Sequence, residues 1–574
     1  MAIEEPAAVD ERPAQRFGAL AGAGVAANSL PVVFLLGVAG IIFAWGYDGL
    51  AFALGLGAGS SLLQLLVAPR LAIAKSPTLW GYLNERYRCR VLRFLAAGAI
   101  ALATTMLLVA LLMLAGLILA RLTGLDFTIA VAAAAAATFA CYVVLNPGVA
   151  RVMGAGAFLL LGAVLLLIAV LLSAQYYGLP LPQFAYANAL WQIQGIEEAL
   201  LEQDLADPAV MKPLLAPFMT LNPLSFAGIV LGLATGVAVW PAVAPSLVRT
   251  TRLSAQRTAL CALLIVVVLL TLLPALAAYG RLAFMTLMAE QISSSGVPPW
   301  LTAYGAMGMA EACGRPALDA AVVVAACADL PDAPTVLRVQ DISLSPDVLT
   351  IALPEMAGLG QGVSIALALT GLAAAVLTAL APLAAGANAV LGAIRGWDVN
   401  GATPRLHAYA VGAVLVAIAA AGAALRPGTI VEVGALAMVL GAAALFPAVV
   451  GGLWWRRANA VGAVAALVVG LGLALAYLVG AHYFPVAFYE ATSALSAAGE
   501  HGYEYFSELK EVWLAAEDAE QQAAWIALNQ YARDIADWWG IAPLAVGLIA
   551  LPAGFLALIV GSLLTSKRGG VTSP

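Results

Sequence analysis

The sequence predicts an all-α polytopic membrane protein, and three observations carry the prediction. Hydrophobic residues make up 63% of the 574 residues against 10% charged, with a mean hydropathy of +0.97, which no water-soluble chain of this length shows. About twelve segments stay predominantly apolar over the roughly 20 residues that cross a hydrocarbon core of about 30 Å. Lys and Arg fall mainly between alternate segments.

The spans read as 18–45, 50–68, 94–120, 127–146, 152–174, 224–246, 258–280, 360–392, 405–424, 430–454, 459–481 and 540–565. They are expected to be helices, because lipid offers no partner to an exposed backbone N–H or C=O. A cytoplasmic N-terminus puts 18 of the 26 Lys and Arg residues inside. Among them are Arg86, Arg88, Arg90 and Arg93, then Arg249, Arg252 and Arg257, and later Arg456 and Arg457. The positive-inside rule thus selects cytoplasmic termini.

The chain divides into a cytoplasmic tail (1–17), a ten-helix core (18–455) with external loops 175–223 and 284–355, two additional helices (456–566) with external loop 482–539, and a cytoplasmic tail (567–574). Met1–Arg16 is polar and leads into a long span without a cleavage pattern, so the first helix is expected to act as its own signal. The formal charge of −6 comes largely from outer-loop acids such as Glu500, Glu504, Glu508, Glu517 and Asp518, whose ordinary role is solvation.

Cys89, Cys141 and Cys261 have no metal-ligand spacing and read as packing residues. Cys313 and Cys327 share the second external loop, where a bridge and two separate thiols are both open. A bridge would be structural and worth about 3 kcal/mol. No Gly-rich phosphate loop, HExxH or carboxylate-rich metal box is present, and His407, His482 and His501 form no cluster, so neither an enzyme nor a cofactor is expected. Dispersed cations give no nucleic-acid surface.

Two spans carry interruptions. The first has Asn28-Ser29-Leu30-Pro31; the sixth has Ala234-Thr235-Gly236 through Trp240-Pro241 and Pro245-Ser246. Spans one and six would each open one of two inverted five-helix repeats, with solute and ion held at the breaks. Ordinary proline kinks are the other reading. No Lys, Arg, Asp, Glu or His occupies mid-span. Glu432 reads as a cap neighbour, Asn388 as an interhelical hydrogen-bonding residue, and Trp454-Trp455 and Trp538-Trp539 as interfacial belts.

Four blocks carry a family resemblance: Gly37-Val38-Ala39-Gly40 through Gly46-Tyr47-Asp48-Gly49-Leu50; Thr78-Leu79-Trp80-Gly81-Tyr82-Leu83; Phe446-Pro447 through Trp454-Trp455-Arg456-Arg457-Ala458-Asn459; and Trp538-Trp539-Gly540-Ile541 through Pro552-Ala553-Gly554-Phe555. Along nearly its whole length the chain resembles the sodium:solute symporter family, and most its cation/acetate symporter branch. The resemblance implies a LeuT-like inverted-repeat core with two additional C-terminal helices in the inner membrane. It also implies sodium-coupled uptake, by alternating access, of a small organic anion such as acetate or a related monocarboxylate.

By position in the family pattern, Asn28, Ser29, Thr235 and Trp240 would bind substrate. The family pattern also has a pair of adjacent hydroxyl residues in core helix eight. The carbonyls of Ala27 and Leu30 would bind sodium with the hydroxyl of Thr378 when that helix is aligned from Gly371-Leu372-Ala373-Ala374-Ala375, which puts Leu377-Thr378 at the pair and keeps one of the two hydroxyls. Alignment back from Gly396-Trp397-Asp398 instead places Pro382-Leu383 there. The sequence departs from the acetate branch at Asn28, where that branch has aspartate, and at Ala242 and Ser246, where it has histidine and arginine. A degenerate sodium site and a different solute are therefore expected. The expected partners are the organic anion, a coupling cation, the bilayer and a small membrane subunit at the outer loops. A transporter-derived sensor or non-coupled subunit, and a proton-coupled or facilitated carrier, are the alternatives.

Overall fold

The computed structural model describes residues 18–73, 78–208, 211–247, 252–330, 334–395 and 405–565. The expected tails 1–17 and 567–574, Arg249 and Gly396-Trp397-Asp398 lie outside the described residues. Among those described, ten helices are long and apolar enough to cross a membrane, so this is a multi-pass membrane protein.

The difference from twelve has two sources. Val32–Leu71 counts as one apolar stretch, yet a turn at Gly46–Gly49 reverses it. Gly46 has φ +61°, and a Cβ on Gly49 would lie 2.7 Å from the Ile42 Cα. In a continuous helix, residues seven apart are separated by about 10 Å. Conversely, Gly18–Ser29 and Pro223–Ala238, of 12 and 16 residues, are half-helices that cross only together with the segments C-terminal to them. Span eight, expected as one helix, is two: Gln361–Thr378 and Leu380–Arg395, meeting at Ala379. Its interior Pro382 has no N–H for the Thr378 carbonyl four residues back.

The helix pairing carries the inverted repeat. Pro223–Ala238 of span six packs on Leu50–Leu62 of span two, as Gly18–Ser29 of span one packs on Arg252–Ala289 of span seven. Ile430–Trp454 of span ten packs on Arg90–Thr123 of span three, as Pro147–Tyr177 of span five packs on Gln361–Thr378 of span eight. Shifting each partner by five spans turns one pair into the other, as a pseudo-twofold axis in the membrane plane demands. Apolar on every side, Ile430–Trp454 forms the enclosed centre. Ala460–Tyr483 and Gly547–Thr565 pair with each other outside the ten-helix core. Gly55 and Gly59, one turn apart, let span two lie against Leu233 and Val237; added Cβ atoms would sit 2.8 and 2.6 Å from the Cβ atoms there.

Charged groups fix the two ends of the bundle. At the arginine-rich end, Arg86 Nε donates to Gly452 O (3.1 Å), Arg70 to Leu453 O (3.1 Å) and Tyr87 Oη to Ala448 O (2.7 Å). These side chains satisfy the last carbonyls of Ile430–Trp454 where its dipole is negative. At the opposite, loop-bearing end, the fully buried carboxylate of Asp48 accepts the backbone N–H groups of Phe218 (2.7 Å), Thr220 (2.7 Å) and Leu221 (2.9 Å). The Gly-Tyr-Asp-Gly phrase is thus the anchor of the first long loop. Arg281 and Glu197 form a buried ion pair at 2.9 Å, and Arg281 also donates to Lys212 O.

The long connections are largely helical rather than open loops: Pro182–Glu202 in the first, Gly499–Ala515 and Asp518–Ile535 in the third. The second holds a small sheet, with Ala310–Ala312 between Arg315–Pro316 and Ile342–Leu344, and a disulfide joining Cys313 and Cys327. It ends in a lid, Pro346–Val348 and Leu349–Met356, whose first residues are buried. The Pro346 carbonyl lies across Gly40, where any Cβ would collide with it. Asp347 caps span ten by accepting the Ile430 N–H at 2.9 Å. The expected loop 284–355 starts later than read, because span seven continues to Ala289.

These anchors make two measurable differences. Asp48→Ala strands one buried and two part-buried N–H groups and is expected to destabilise by roughly 2 kcal/mol or more, Asp48→Asn by less, as thermal unfolding in detergent would measure. The second concerns Asp347, whose pKa is raised to about 7 by burial, with Glu432 adding to that and the Ile430 N–H and Arg426 opposing it. The folded protein then holds a proton that the unfolded chain has released. The resulting stability is full below about pH 4 and is lost as pH rises through about 7. Between pH 6 and pH 8 the loss is roughly 1.4 kcal/mol; Asp347→Asn should flatten that part of the pH profile of the melting temperature.

Candidate functional site

The first break arises from one missing donor. Leu30 N–H reaches back to Ala26 O (2.8 Å), but Pro31 has no N–H for Ala27 O, and the chain resumes as a helix only at Val32. The Ala27 carbonyl thus ends Gly18–Ser29 without its helical donor, while the first N–H groups of Val32–Trp45 face the break from the other side. In the sixth span Pro223–Ala238 stops at Val239, and Trp240-Pro241 leads through turns to Ala244–Ser246.

A cavity of about 310 Å³ lies beside both breaks. Its wall includes Ala27 and Asn28 from the first, Pro241, Ala242 and Pro245 from the second, and Leu377 and Thr378 at the kink in span eight. It extends toward the arginine-rich end, past Thr78, Trp80, Tyr142, Arg151 and Asn388. On the loop side, the buried lid residues Leu349, Ala352 and Leu353 cover the bundle.

The polar groups on this wall are oriented by their own helices. Asn28 Nδ2 donates to Gly24 O (2.8 Å), which leaves Oδ1 as its acceptor toward the cavity. Thr378 Oγ1 spends its proton on Ala374 O (2.7 Å), so its lone pairs remain for a cation. Two buried polar atoms at the breaks have no hydrogen-bond partner, Ser29 Oγ and Trp240 Nε1. Unsatisfied buried groups of this kind are uncommon.

Of the residues singled out in the sequence, Ala27, Asn28 and Thr378 meet in one wall. Ser29, Leu30, Thr235 and Trp240 are buried beside the breaks and are not part of it, and Thr235 Oγ1 is bonded to Leu231 O (2.7 Å) in its own helix. Pro382 and Leu383 are buried behind the wall. Asn388, read as an interhelical hydrogen-bonding residue, instead faces the cavity and bonds to no described residue. Tyr142 and Arg151 were not singled out. Each is unremarkable within an apolar span or a short basic connection, and only the third dimension brings them to the wall. Glu432 forms a capping box with Thr429, as its position at a helix start predicts. No cluster of three or more His, Cys, Asp or Glu side chains able to hold a metal occurs among the described residues.

Comparison with known proteins agrees with this geometry. The sequence pattern of the Sodium:solute symporter family matches residues 17–296. An uncharacterized symporter of Cupriavidus necator is 22% identical, over 96% of this chain and 86% of its own length. Among solved structures, the substrate-bound outward-open state of a Na+-coupled sialic acid symporter superposes with a TM-score of 0.56 at 12% identity, covering 95% of this chain and 89% of that one. That likeness speaks for the LeuT-like fold alone. A mutant manganese transporter of Eremococcus coleocola, 14% identical with 98% of each chain covered, gives a TM-score of 0.46 and adds nothing to the argument. The family match over residues 17–296, a relative spanning almost the whole chain and the shared fold together show this protein to be similar to the sodium:solute symporter family.

Proposed function

We propose that this protein is a sodium-coupled symporter of a small organic anion, with acetate and related monocarboxylates as the first class to test, working by alternating access in the inner membrane. The observation that carries the reading is the meeting of Ala27 and Thr378 in one cavity wall: a carbonyl deprived of its donor and a hydroxyl with free lone pairs, on two different helices. Hard oxygens suit a hard monovalent cation, which would tie the half-helix Gly18–Ser29 to span eight. The kink at Ala379 supports a further ligand, because Pro382 leaves the Thr378 carbonyl without its helical donor.

The opposite end of the break suits the anion. The N-terminal N–H groups of Val32–Trp45 carry the positive end of a helix dipole, and Asn28 supplies a neutral contact beside them. Protein charge at mid-span is not required, which fits its absence from the middle of the spans. With the arginine-rich end in the cytoplasm, as the charge distribution favours, the cavity faces inward and the lid at Pro346–Met356 closes the outside. Outward opening would then have to part Asp347 from the Ile430 N–H.

The test is uptake of labelled acetate and related carboxylates into proteoliposomes, with and without an inward sodium gradient. The expected result is sodium-stimulated uptake that Thr378→Val and Asn28→Ala each reduce at least tenfold, with melting temperatures near that of the parent protein. Uptake indifferent to sodium would remove the coupling; solute binding without uptake would replace the reading with that of a transporter-derived sensor. Pro31→Ala returns a donor to Ala27 O, and should likewise abolish sodium stimulation while leaving the fold at least as stable.

A further inference from the structure

Among the described residues of the cavity wall one side chain is charged, Arg151, and none is acidic. Arg151 lies about one turn into Pro147–Tyr177, so the positive end of that helix adds to its guanidinium rather than offsetting it. None of the ion pairs between described residues involves it. The same wall carries Tyr142 and Asn388, neutral side chains able to donate hydrogen bonds, on the stretch between the helix breaks and the arginine-rich end. Arg151 and Asn388 are exposed, at the mouth of the cavity, and a positive group at a cleft mouth concentrates anions and repels cations. A guanidinium, moreover, grips a carboxylate through two parallel N–H···O bonds.

We propose that Arg151, with Tyr142 and Asn388, forms a second anion-holding station along the cavity, between the breaks and the arginine-rich surface, which makes this passage selective for small carboxylate solutes. The station rests on the organic-anion reading, and a solute released from the breaks meets it before leaving. Its effect is local, so it is measurable whether or not transport is being measured.

Cys141 is a free thiol on the same wall and serves as the reporter. With Cys89→Ser and Cys261→Ala it becomes the one reactive thiol, because Cys313 and Cys327 are bridged. The purified protein is treated with methanethiosulfonate reagents of similar size that are negative, positive or neutral, and each rate is divided by the neutral rate, so that changes in access cancel. The negative reagent is expected to react roughly tenfold faster than the positive one. Arg151→Gln should abolish that preference and Arg151→Lys should keep it. A negative-to-positive ratio that is the same in the parent and in Arg151→Gln overturns the station. Failure of carboxylate uptake in proteoliposomes would overturn the transport reading, and leaves this ratio to be judged by itself.

Discussion

A backbone carbonyl without a donor costs several kcal/mol in hydrocarbon, and this constraint places the cavity. Pro31 and Pro382 each remove a donor inside the bundle, from Ala27 and from Thr378. Neither carbonyl could face lipid. Both residues border the cavity, where water or solute can take the place of the lost N–H. Pro241 is a different case, since Val237 O recovers a donor from Trp240 N at 3.2 Å. The first and eighth spans therefore open their backbone to the cavity, while the sixth contributes shape through Pro241, Ala242 and Pro245.

The charges of the chain are spent at its ends. Asp48 holds loop backbone and Asp347 the first N–H of span ten on one side; Arg70 and Arg86 hold the carbonyl end of span ten on the other. This explains why a chain with 32 acids and 26 bases leaves its mid-spans without either. It also divides the bundle mechanically. Ile430–Trp454 is gripped at both termini and packed on all sides, so it belongs to the part that stays still. The half-helix Gly18–Ser29, by contrast, has no such clamp in the described structure and leans on spans five and seven. Motion that opens the other side is then easiest across the cavity that lies between that half-helix and span eight.

How much of this is legible in the sequence depends on how local its cause is. Apolar runs and the alternation of arginines point to twelve crossings, because length and charge are properties of the segment itself. The breaks at Pro31 and Pro241 are legible for the same reason: a missing N–H acts within four residues. The features that escape are set by contacts distant in sequence. Asp48 lies within a conspicuous phrase, yet its role depends on Phe218, Thr220 and Leu221, some 170 residues away. The lid is invisible in the sequence, since Pro346 has meaning only against Gly40. Arg151 and Asn388 are each explained by a local rule, topology for one and helix packing for the other, and those rules give no hint of a shared wall. The polar connections read as loops because the apolar criterion for a span says nothing about amphipathic helices such as Gly499–Ala515.

The two alignments of span eight, which compete in the sequence, concern two parts of one feature. Leu377 and Thr378 are on the wall; Pro382 and Leu383 are behind it. A proline four residues beyond a hydroxyl-bearing residue acts on that residue's carbonyl, so Pro382 bears on the wall through Thr378 without reaching it. Relative to a pair of adjacent hydroxyls, this arrangement gives up one side-chain oxygen and opens one backbone oxygen at the same place. A carbonyl is at least as good a ligand for a hard cation as a hydroxyl whose proton is already committed. In the proposed sodium site the count of ligand oxygens therefore need not fall with the missing hydroxyl, because the backbone supplies one in its place.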